Sequence, residues 1–231
     1  MSAPPPPAAR PKVKVCGVRT PEEALLAAEL GADFLGLNFH PPSPRCLDFA
    51  AAKKIAEVVV ARSYKPLLVG VFVHHSPEEA DAIRAEIGLD LLQLHGDPEP
   101  ERVAPIAERV LIARRIAGRP HPDELEPWRQ IGVWGLVLDT RHPELYGGTG
   151  ESWDFAAVAD VQEEDERLLI AGGLKASNVV AAINAARPWG IDLCSGLESA
   201  PGIREPELLR ELFRTLDRSF PSLQESPWPD P

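Results

Sequence analysis

The sequence predicts a single-domain α/β protein folded as a closed (β/α)8 barrel, or TIM barrel. Eight short β-branched or Leu-rich runs alternate with Ala-, Glu- and Leu-rich segments of helical period, as in βα units around a parallel sheet. The runs recur roughly every 20 to 35 residues, the spacing of a strand and its crossover helix. The rival is an open doubly wound sheet, which commonly has a glycine-rich turn after its first strand. Here that stretch, CGVRTPEE, holds a single glycine, which favours the barrel.

The predicted strands are short apolar runs. In chain order they are KVKVC from Lys12, FLGLNF from Phe34, LLVGVFV from Leu67, LDLLQL from Leu89, VLIAR from Val110, VWGLVLD from Val133, RLLIA from Arg167 and IDLC from Ile191. In a barrel, the carboxyl ends of the strands form the active face. Residues at or just after the end of each run are therefore the candidates for chemistry.

Two of the connecting helices carry clear start signals. Thr20 can cap TPEEALLAAEL, with Pro21 in the first turn and Glu23 completing a capping box. Ser76 repeats this device before PEEADAIRAEI, which should stop at Gly88. The fifth helix, around HPDELEPWRQ, is expected to be short because proline interrupts it.

Composition narrows the class of protein. The 231-residue chain is 44% hydrophobic, which is enough for the core of one large domain. We predict a barrel over residues 12–219, a disordered proline-rich leader over 1–11 and a C-terminal tail over 220–231. A net charge of −11, without Lys and Arg runs among aromatic residues, argues against nucleic acid as a partner.

The lack of targeting segments and the spacing of the cysteines indicate a reducing compartment. No apolar stretch reaches the roughly 18 residues of a membrane span, and MSAPPPPAAR lacks the apolar core of a signal peptide. We therefore predict a cytoplasmic protein with no membrane partner. Cys16, Cys46 and Cys194 lack the spacings of a zinc site or a disulfide framework, so reduced thiols and no structural metal are expected.

Glycine-rich stretches follow the last two predicted strands. IAGGLKASN places Gly172 and Gly173 before a helix with its cap near Ser177, and DLCSGLES places Ser195 and Gly196 at the same point one strand later. Backbone N–H groups in such loops can hold a phosphate, which this fold usually binds after strands seven and eight. The alternative is that these glycines only form tight turns.

Two candidates for proton transfer end predicted strands. Asp139 ends GLVLD and serves either as a general acid or as an acceptor of loop hydrogen bonds. The loop after it, TRHPELYGGTGES, contains Gly147, Gly148 and Gly150 and is expected to close over a substrate. Cys16 ends KVKVC and is either a small buried hydrophobe or an exposed reactive thiol.

Strand parity places a cation beneath Cys16. Lys14 shares a face with Cys16, so a thiol at the barrel mouth puts Lys14 inside the barrel. A buried ammonium needs a partner, and Asp192 on the adjoining last strand has the same parity relative to Cys194. We predict a Lys14–Asp192 ion pair, which would lower the pKa of Cys16 and favour its thiolate.

Arginine and histidine side chains near the barrel mouth allow two interpretations each. Arg45, in the proline-stiffened NFHPPSPRC, could clamp a carboxylate in bidentate fashion or lie solvated at the surface. His95, in LQLHGD, either contacts a ligand or only hydrogen-bonds within the mouth. No metal site is assigned, because metal-ligand spacing is lacking among His40, His74, His75, His121 and His142.

The chain resembles the phosphoribosylanthranilate isomerase family of tryptophan biosynthesis. The resemblance rests on a series of segments in this order: KVKVCGVRTPEEA, GLNFHPPSPR, VGVFV, LLQLHGD, LVLDT with GGTGESWDF, LIAGGLKASNV and IDLCSGLESAPGIRE. It covers the chain from Lys12 to Phe213. It implies a (β/α)8 barrel that rearranges N-(5-phosphoribosyl)anthranilate, a small phosphorylated substrate, without a cofactor. A monomer or homodimer is expected.

The resemblance also implies roles for residues. Cys16 corresponds to the general base and Asp139 to the general acid. Arg45 corresponds to the arginine that contacts the substrate carboxylate. The other residues expected to bind substrate are His95 and, for the phosphate, Gly172, Gly173, Ser195 and Gly196.

Two other functions stay open. One is a related phosphate-binding barrel, such as a sugar-phosphate isomerase of histidine biosynthesis or a dual-substrate enzyme. Those isomerases are expected to use a pair of aspartates, one near the end of strand one, and Cys16 in that place argues against them. A catalytically silent ligand-binding barrel would not need to retain both Cys16 and Asp139.

The sequence departs from the resemblance at two places. Cys194 stands where relatives commonly have serine or alanine, and Arg204 with Glu205 replaces the usual Lys-Asp. Because the first and last strands adjoin, oxidation could join Cys16 to Cys194.

Overall fold

Eight parallel strands close into a barrel, which confirms the predicted fold class. The computed structural model describes residues 10–116, 119–139 and 155–220. Each strand pairs with the next in the sequence, and the last pairs with the first. The strands are β1 (Lys12–Cys16), β2 (Phe34–Asn38), β3 (Leu67–Phe72), β4 (Leu91–Leu94), β5 (Val110–Arg115), β6 (Gly135–Asp139), β7 (Leu168–Ala171) and β8 (Gly190–Leu193).

Helices connect the strands and cover the outside of the barrel, where the larger hydrophobic core lies. They are α1 (Pro21–Glu29), α2 (Phe49–Val60), α3 (Pro77–Ile87), α4 (Pro100–Val103), α5 (Glu126–Gln130), α6 (Ala156–Ala159), α7 (Val179–Ala186) and α8 (Pro206–Ser219). Between β8 and α8 the chain adds an antiparallel hairpin of two short strands, β9 (Glu198–Ala200) and β10 (Ile203–Arg204).

The predicted signals at α3 are confirmed. The Ser76 hydroxyl accepts from the backbone N–H of Glu79, and the Glu79 carboxylate accepts from the backbone N–H of Ser76. Gly88 ends the helix in the left-handed region, at φ 82°. A three-residue 3-10 turn, Pro122–Glu124, precedes the five-residue α5, so the short fifth helix is confirmed as well.

The predicted capping box at α1 is wrong in one half. Thr20 accepts from the backbone N–H of Glu23, as expected of a cap. The Glu23 carboxylate, however, accepts from the backbone N–H of Arg19, at 3.0 Å, rather than from Thr20. The carboxylate therefore binds one residue further back along the chain, a short-range choice that the S/T-x-x-E pattern does not distinguish.

An aromatic cluster fills the amino-terminal end of the barrel. Phe34 begins β2, while Trp134 and Trp189 immediately precede β6 and β8. Their three rings contact one another, with centroids separated by 5.6, 5.8 and 5.6 Å. Apolar side chains pack on this cluster, among them Val69, Leu91, Leu111, Val137 and Leu169. The lower interior is thus a packed core, and polar groups lie above it.

The predicted ion pair inside the barrel is confirmed. Lys14 and Asp192 are register partners on β1 and β8, and Nζ lies 2.9 Å from Oδ2. The side chains are 0% and 7% exposed. Gly36 on β2 makes room for this arrangement, because a Cβ there would lie 3.2 Å from Lys14 Nζ and 2.9 Å from Cys16 Sγ.

The predicted termini and one predicted loop lie largely outside the described residues. Of the leader over 1–11, the structure describes Arg10 and Pro11, and Arg10 pairs with Asp217 of α8 at 3.0 Å. Of the tail over 220–231, it describes Phe220, which is buried. The TRHPELYGGTGES loop, with Gly147, Gly148 and Gly150, and His142 fall outside these ranges. Within them, no helix has the length and apolarity to span a membrane.

Removing one member of the buried pair should destabilise the barrel strongly. We expect Lys14→Met, which leaves an unpaired buried carboxyl group, to lower the free energy of unfolding by about 3–5 kcal/mol. The double variant Lys14→Met with Asp192→Leu should recover most of this loss, because it leaves no buried charge. Urea unfolding measures both values.

The matched control is Lys12→Met on the same strand. Lys12 pairs with Asp33 at 3.0 Å, but the two side chains are 32% and 19% exposed. We expect a loss of at most about 1 kcal/mol there. If Lys14→Met and Lys12→Met lowered the free energy of unfolding equally, burial would not be the reason that the Lys14–Asp192 pair matters for stability.

Candidate active site

A cavity of about 360 Å³ opens at the carboxyl ends of the barrel strands. Its lining comes from nearly every strand and from the loops that follow β2, β7 and β8. All of the residues selected from the sequence line it: Cys16, Arg45, His95, Asp139, Gly172, Gly173, Ser195 and Gly196. The barrel topology therefore brings together residues that are far apart in the chain.

Cys16 is a half-buried thiol at the end of β1, directly above Lys14. A hydrogen bond from Cys194 lowers its pKa, burial opposes this effect, and the charges of Lys14 and Arg204 lower the pKa further. The result is a pKa well below that of an ordinary cysteine. The thiolate form, which can accept a proton, is therefore favoured.

The cation beneath Cys16 persists at working pH. Burial raises the pKa of Asp192 to about 7, although the charge of Lys14 counteracts it. Burial also opposes charge on Lys14, but attraction to Asp192 and to Cys16 outweighs it and raises the pKa of the ammonium. Lys14 is thus the stably charged member of the pair, and its charge stabilises the thiolate.

Asp139 is the half-buried last residue of β6 and lines the same cavity as Cys16. In the closed sheet, β7 and β8 separate β6 from β1, so the two groups approach the cavity from different sides. The backbone carbonyl of Asp139 accepts from the N–H of Ile116, at 3.1 Å, which fixes the end of the strand. An acid and a base at separate points of one cavity suit successive proton transfers to one substrate.

The loops after β7 and β8 pack closely against each other. Gly172 and Gly173 adopt positive φ values of 99° and 63°. A Cβ on Gly196 would lie 1.9 Å from the carbonyl oxygen of Leu174, so any side chain at 196 would separate the loops. Backbone without side chains thus faces this part of the cavity.

The N-cap position of α7, the helix after the Gly172–Gly173 loop, is Asn178, next to the expected cap near Ser177. Asn178 makes no side-chain cap hydrogen bond. Its amide instead accepts from the N–H of Lys175, at 2.8 Å, and donates to the carbonyl of Gly173, at 3.0 Å. This side chain therefore shapes the loop rather than capping the helix.

Arg45 lines the cavity while paired with an acid that sequence reasoning missed. Its Nε and Nη2 donate to the two carboxylate oxygens of Glu198, at 2.7 and 2.5 Å. The pair holds Arg45 in place and leaves Nη1 outside the bidentate contact. The solvated surface position considered for Arg45 is wrong, because the side chain is only 11% exposed.

The β9–β10 hairpin supplies a second arginine beneath the site. Arg204 is buried and lies opposite Glu198 in the hairpin register. It donates to the backbone carbonyls of Cys16, at 2.5 Å, and Cys194, at 3.3 Å. The hairpin therefore holds Arg45 through one strand and the ends of β1 and β8 through the other.

His95, the residue after β4, is held by Gln93 of that strand. The Gln93 side-chain nitrogen lies 2.8 Å from Nε2 of His95, so the ring accepts this hydrogen bond when Nε2 carries no proton. Burial, with the positive charges of Lys14 and Arg115, lowers the pKa of His95 to about 4. His95 is therefore neutral near pH 7.

A family model described as N-(5'phosphoribosyl)anthranilate (PRA) isomerase matches residues 13–215. The chain belongs to this family. The N-(5'-phosphoribosyl)anthranilate isomerase of Myxococcus xanthus is 41% identical over 206 residues, covering 88% of this chain and 94% of the relative. The membership agrees with the resemblance found in the sequence.

Solved structures of phosphoribosylanthranilate isomerases have the same fold. The crystal structure from Thermotoga maritima superposes with a TM-score of 0.79 at 31% identity, covering 90% of this chain and 99% of that one. Another crystal structure holds reduced 1-(o-carboxyphenylamino)-1-deoxyribulose 5-phosphate. It superposes with a TM-score of 0.77 at 28% identity, covering 90% of this chain and 99% of that one.

Within this phosphoribosylanthranilate isomerase fold, Arg115 is a further cavity residue that sequence reasoning missed. The predicted fifth strand stopped at Arg114, whereas β5 extends to Arg115. Parity places Arg115 on the face of Leu111 and Ala113, which belong to the interior cluster. Its side chain lines the cavity beside Asp139, its register partner on β6. Arg115 was missed because the predicted strand was one residue shorter than β5.

Two of the remaining histidines are in ring contact near the cavity. His40 lines the cavity, and its ring contacts that of His74 at a centroid distance of 5.1 Å. In the part of the chain that the structure describes, no three His, Cys, Asp or Glu side chains come together as metal ligands.

His95 should make the protein less stable in acid. In the unfolded chain its pKa is about 6.5, and in the fold it is about 4. Between these values the unfolded chain binds a proton that the native state excludes, so stability falls as pH falls from about 6.5 to 4. We expect the unfolding free energy of the native sequence to drop by about 2 kcal/mol more than that of His95→Gln between pH 7 and 4.5.

The control for this titration is His121→Gln, because the His121 ring is 67% exposed. Its acid profile should follow that of the native sequence. Parallel profiles for His95→Gln and the native sequence would contradict the low pKa of His95.

Proposed function

We propose that this chain catalyses the Amadori rearrangement of N-(5-phosphoribosyl)anthranilate to 1-(2-carboxyphenylamino)-1-deoxyribulose 5-phosphate, with Cys16 as base and Asp139 as acid. The supporting observation is a thiol above a buried ammonium that shares one cavity with a carboxyl group and two glycine loops. The chain's family carries out this isomerisation in tryptophan biosynthesis. A related structure binds a reduced form of the product.

The substrate phosphate would rest on the loops after β7 and β8. Gly172, Gly173, Ser195 and Gly196 offer backbone with little side-chain bulk. The 3-10 turn Ser195–Leu197 and the nearby start of α7 lie at the same edge of the barrel. This placement would leave the pentose over the barrel centre, between Cys16 and Asp139.

The anthranilate carboxylate would bind at Arg45, next to the hairpin that follows the β8 loop. Arg45 is held by Glu198 through Nε and Nη2, so Nη1 can donate to a second carboxylate. Arg115 contributes another cation to the same cavity, and neutral His95 contributes a ring that can hydrogen-bond.

The chemistry would need two proton transfers. Asp139 would protonate the ribose ring oxygen, so that the C1–O bond breaks and the ring opens to a Schiff base. The Cys16 thiolate would then remove the proton from C2, giving an enolamine that tautomerises to the ketone. Lys14 would keep the thiolate in place between turnovers, because its charge disfavours the neutral thiol.

Removing either proton-transfer group should abolish turnover without abolishing binding. We expect Cys16→Ala and Asp139→Asn each to lower kcat by at least about a hundredfold. The loss of phosphoribosylanthranilate fluorescence measures turnover. Binding of a reduced product analogue shows whether the cavity still binds its ligand.

Cys46→Ala is the matched control, because Cys46 is absent from the cavity lining and bonds to the carbonyl of Leu47. It should keep the native rate. Turnover that survives in Cys16→Ala or Asp139→Asn would overturn the proposed roles.

The glycine at 196 tests the phosphate position. Because a Cβ there would meet the carbonyl of Leu174, Gly196→Ala should displace both loops. We expect KM to rise by roughly tenfold, the equivalent of about 1.4 kcal/mol of binding. Gly132→Ala is the control, since a Cβ added at Gly132 has no neighbouring atoms within 4 Å. If Gly132→Ala raised KM as much as Gly196→Ala does, the proposal that the phosphate binds at these loops would be wrong.

The cytoplasmic location, the monomeric or homodimeric state and the independence of a cofactor stay predictions from the sequence.

A further inference from the structure

A second sulfur lies beside the proposed base. β1 and β8 pair in parallel, with Lys14 opposite Asp192 and Val15 opposite Leu193, so Cys16 and Cys194 follow as the next neighbours. Adjacent strands lie about 4.8 Å apart, within the Cα separations that disulfides span. Each thiol shifts the pKa of the other, and both side chains are half-buried in the cavity lining.

Surrounding groups hold the two sulfurs together. Arg204 donates to the carbonyls of both Cys16 and Cys194. Gly17 closes the gap on one side, since a Cβ there would lie 3.3 Å from Cys194 Sγ. Lys14 and Arg204 place positive charge next to Cys16. A charged thiolate with a fixed thiol neighbour is the arrangement of an oxidisable dithiol.

We propose that Cys16 and Cys194 are a modification site, in which a small hydroperoxide oxidises Cys16 and Cys194 then closes a disulfide. Formation of the disulfide does not depend on the proposed function. Its expected effect on turnover does, because the disulfide would remove the thiolate proposed as the catalytic base. The cavity, about 360 Å³ in volume, gives hydrogen peroxide access to both sulfurs.

The first step consumes the peroxide. The Cys16 thiolate attacks one peroxide oxygen, an S–O bond forms, the O–O bond breaks, and the departing hydroxide takes a proton from solvent to become water. Cys16 is then a sulfenic acid.

The second step releases another water. The Cys194 sulfur attacks the Cys16 sulfur, the S–S bond forms, the S–O bond breaks, and the departing hydroxide combines with the proton of Cys194. The two sulfurs together lose two electrons, and the peroxide oxygens gain them.

Oxidation of Cys16 also releases Cys194 for attack. In the reduced protein, the hydrogen bond to Cys16, burial and the negative charge of Cys16 all raise the pKa of Cys194. The first and last of these causes disappear when the thiolate becomes a neutral sulfenic acid. Cys194 is thus unreactive before the first step and more easily ionised after it.

Cys46 provides an internal comparison. Its thiol donates to the carbonyl of Leu47, at 3.7 Å, and burial raises its pKa. It is absent from the cavity lining. We expect Cys46 to stay reduced while Cys16 and Cys194 react.

The experiment treats the full-length native protein, Cys194→Ser and Cys46→Ser with hydrogen peroxide, followed by intact-mass measurement, peptide mapping and a turnover assay with and without dithiothreitol. In the native protein and in Cys46→Ser we expect a loss of about 2 Da, a Cys16–Cys194 cross-linked peptide and turnover reduced at least about tenfold, which dithiothreitol restores. In Cys194→Ser we expect Cys16 to pass to sulfinic acid, which dithiothreitol does not reverse.

Absence of the Cys16–Cys194 peptide, a cross-link through Cys46, or the same dithiothreitol-reversible loss in Cys194→Ser would overturn the inference. The mass readout is independent of turnover. A cross-linked protein with full turnover would support the dithiol and overturn the role of Cys16 as base, so the two proposals fail in different ways.

Discussion

The buried contact between Lys14 and Asp192 determines the chemistry available at the barrel mouth. An ammonium in an apolar barrel is unfavourable unless a carboxylate meets it, and the 2.9 Å contact across β1 and β8 provides that partner. The charge then stabilises the thiolate of Cys16, two residues further along the same strand face. Gly36 beside it leaves room for the ammonium, since a Cβ there would lie 3.2 Å from Nζ. The low pKa of Cys16 therefore depends on the neighbouring Cys194 and on the charge of Lys14 inside the barrel.

The hairpin between β8 and α8 connects this interior to the rest of the site. Glu198 in β9 holds Arg45, and Arg204 in β10 holds the carbonyls of Cys16 and Cys194. The two hairpin residues are register partners, so a shift of the hairpin would move the Arg45 side chain and the ends of β1 and β8 together. Under the roles proposed for Arg45 and Cys16, substrate binding and proton transfer would share one structural support.

The sequence was informative wherever barrel topology alone brings residues together. Strand ends meet at one face, so Cys16, Asp139 and the glycine loops could be placed in one site from their order. Parity within a strand was enough to pair Lys14 with Asp192. Strand boundaries were less certain, and a one-residue extension of β5 hid Arg115.

Contacts made through the hairpin could not be predicted. Arg45 and Glu198 are 153 residues apart, and Arg204 and Cys16 are 188 apart. No periodic pattern signals either contact, because both depend on how an irregular insertion folds back over the barrel. Sequence pattern was also insufficient at Glu23, whose carboxylate accepts from the N–H of Arg19 instead of that of Thr20.

The most direct test of this account is the ionisation of Cys16 in the substrate-free protein. The Cβ chemical shift of isotope-labelled cysteine can be followed through a pH titration, with Cys46 as a reference in the same spectrum. We expect Cys16 to ionise well below the ordinary cysteine pKa of about 8.5, and Lys14→Met to raise this pKa. A Cys16 that ionises at or above the ordinary value would contradict it.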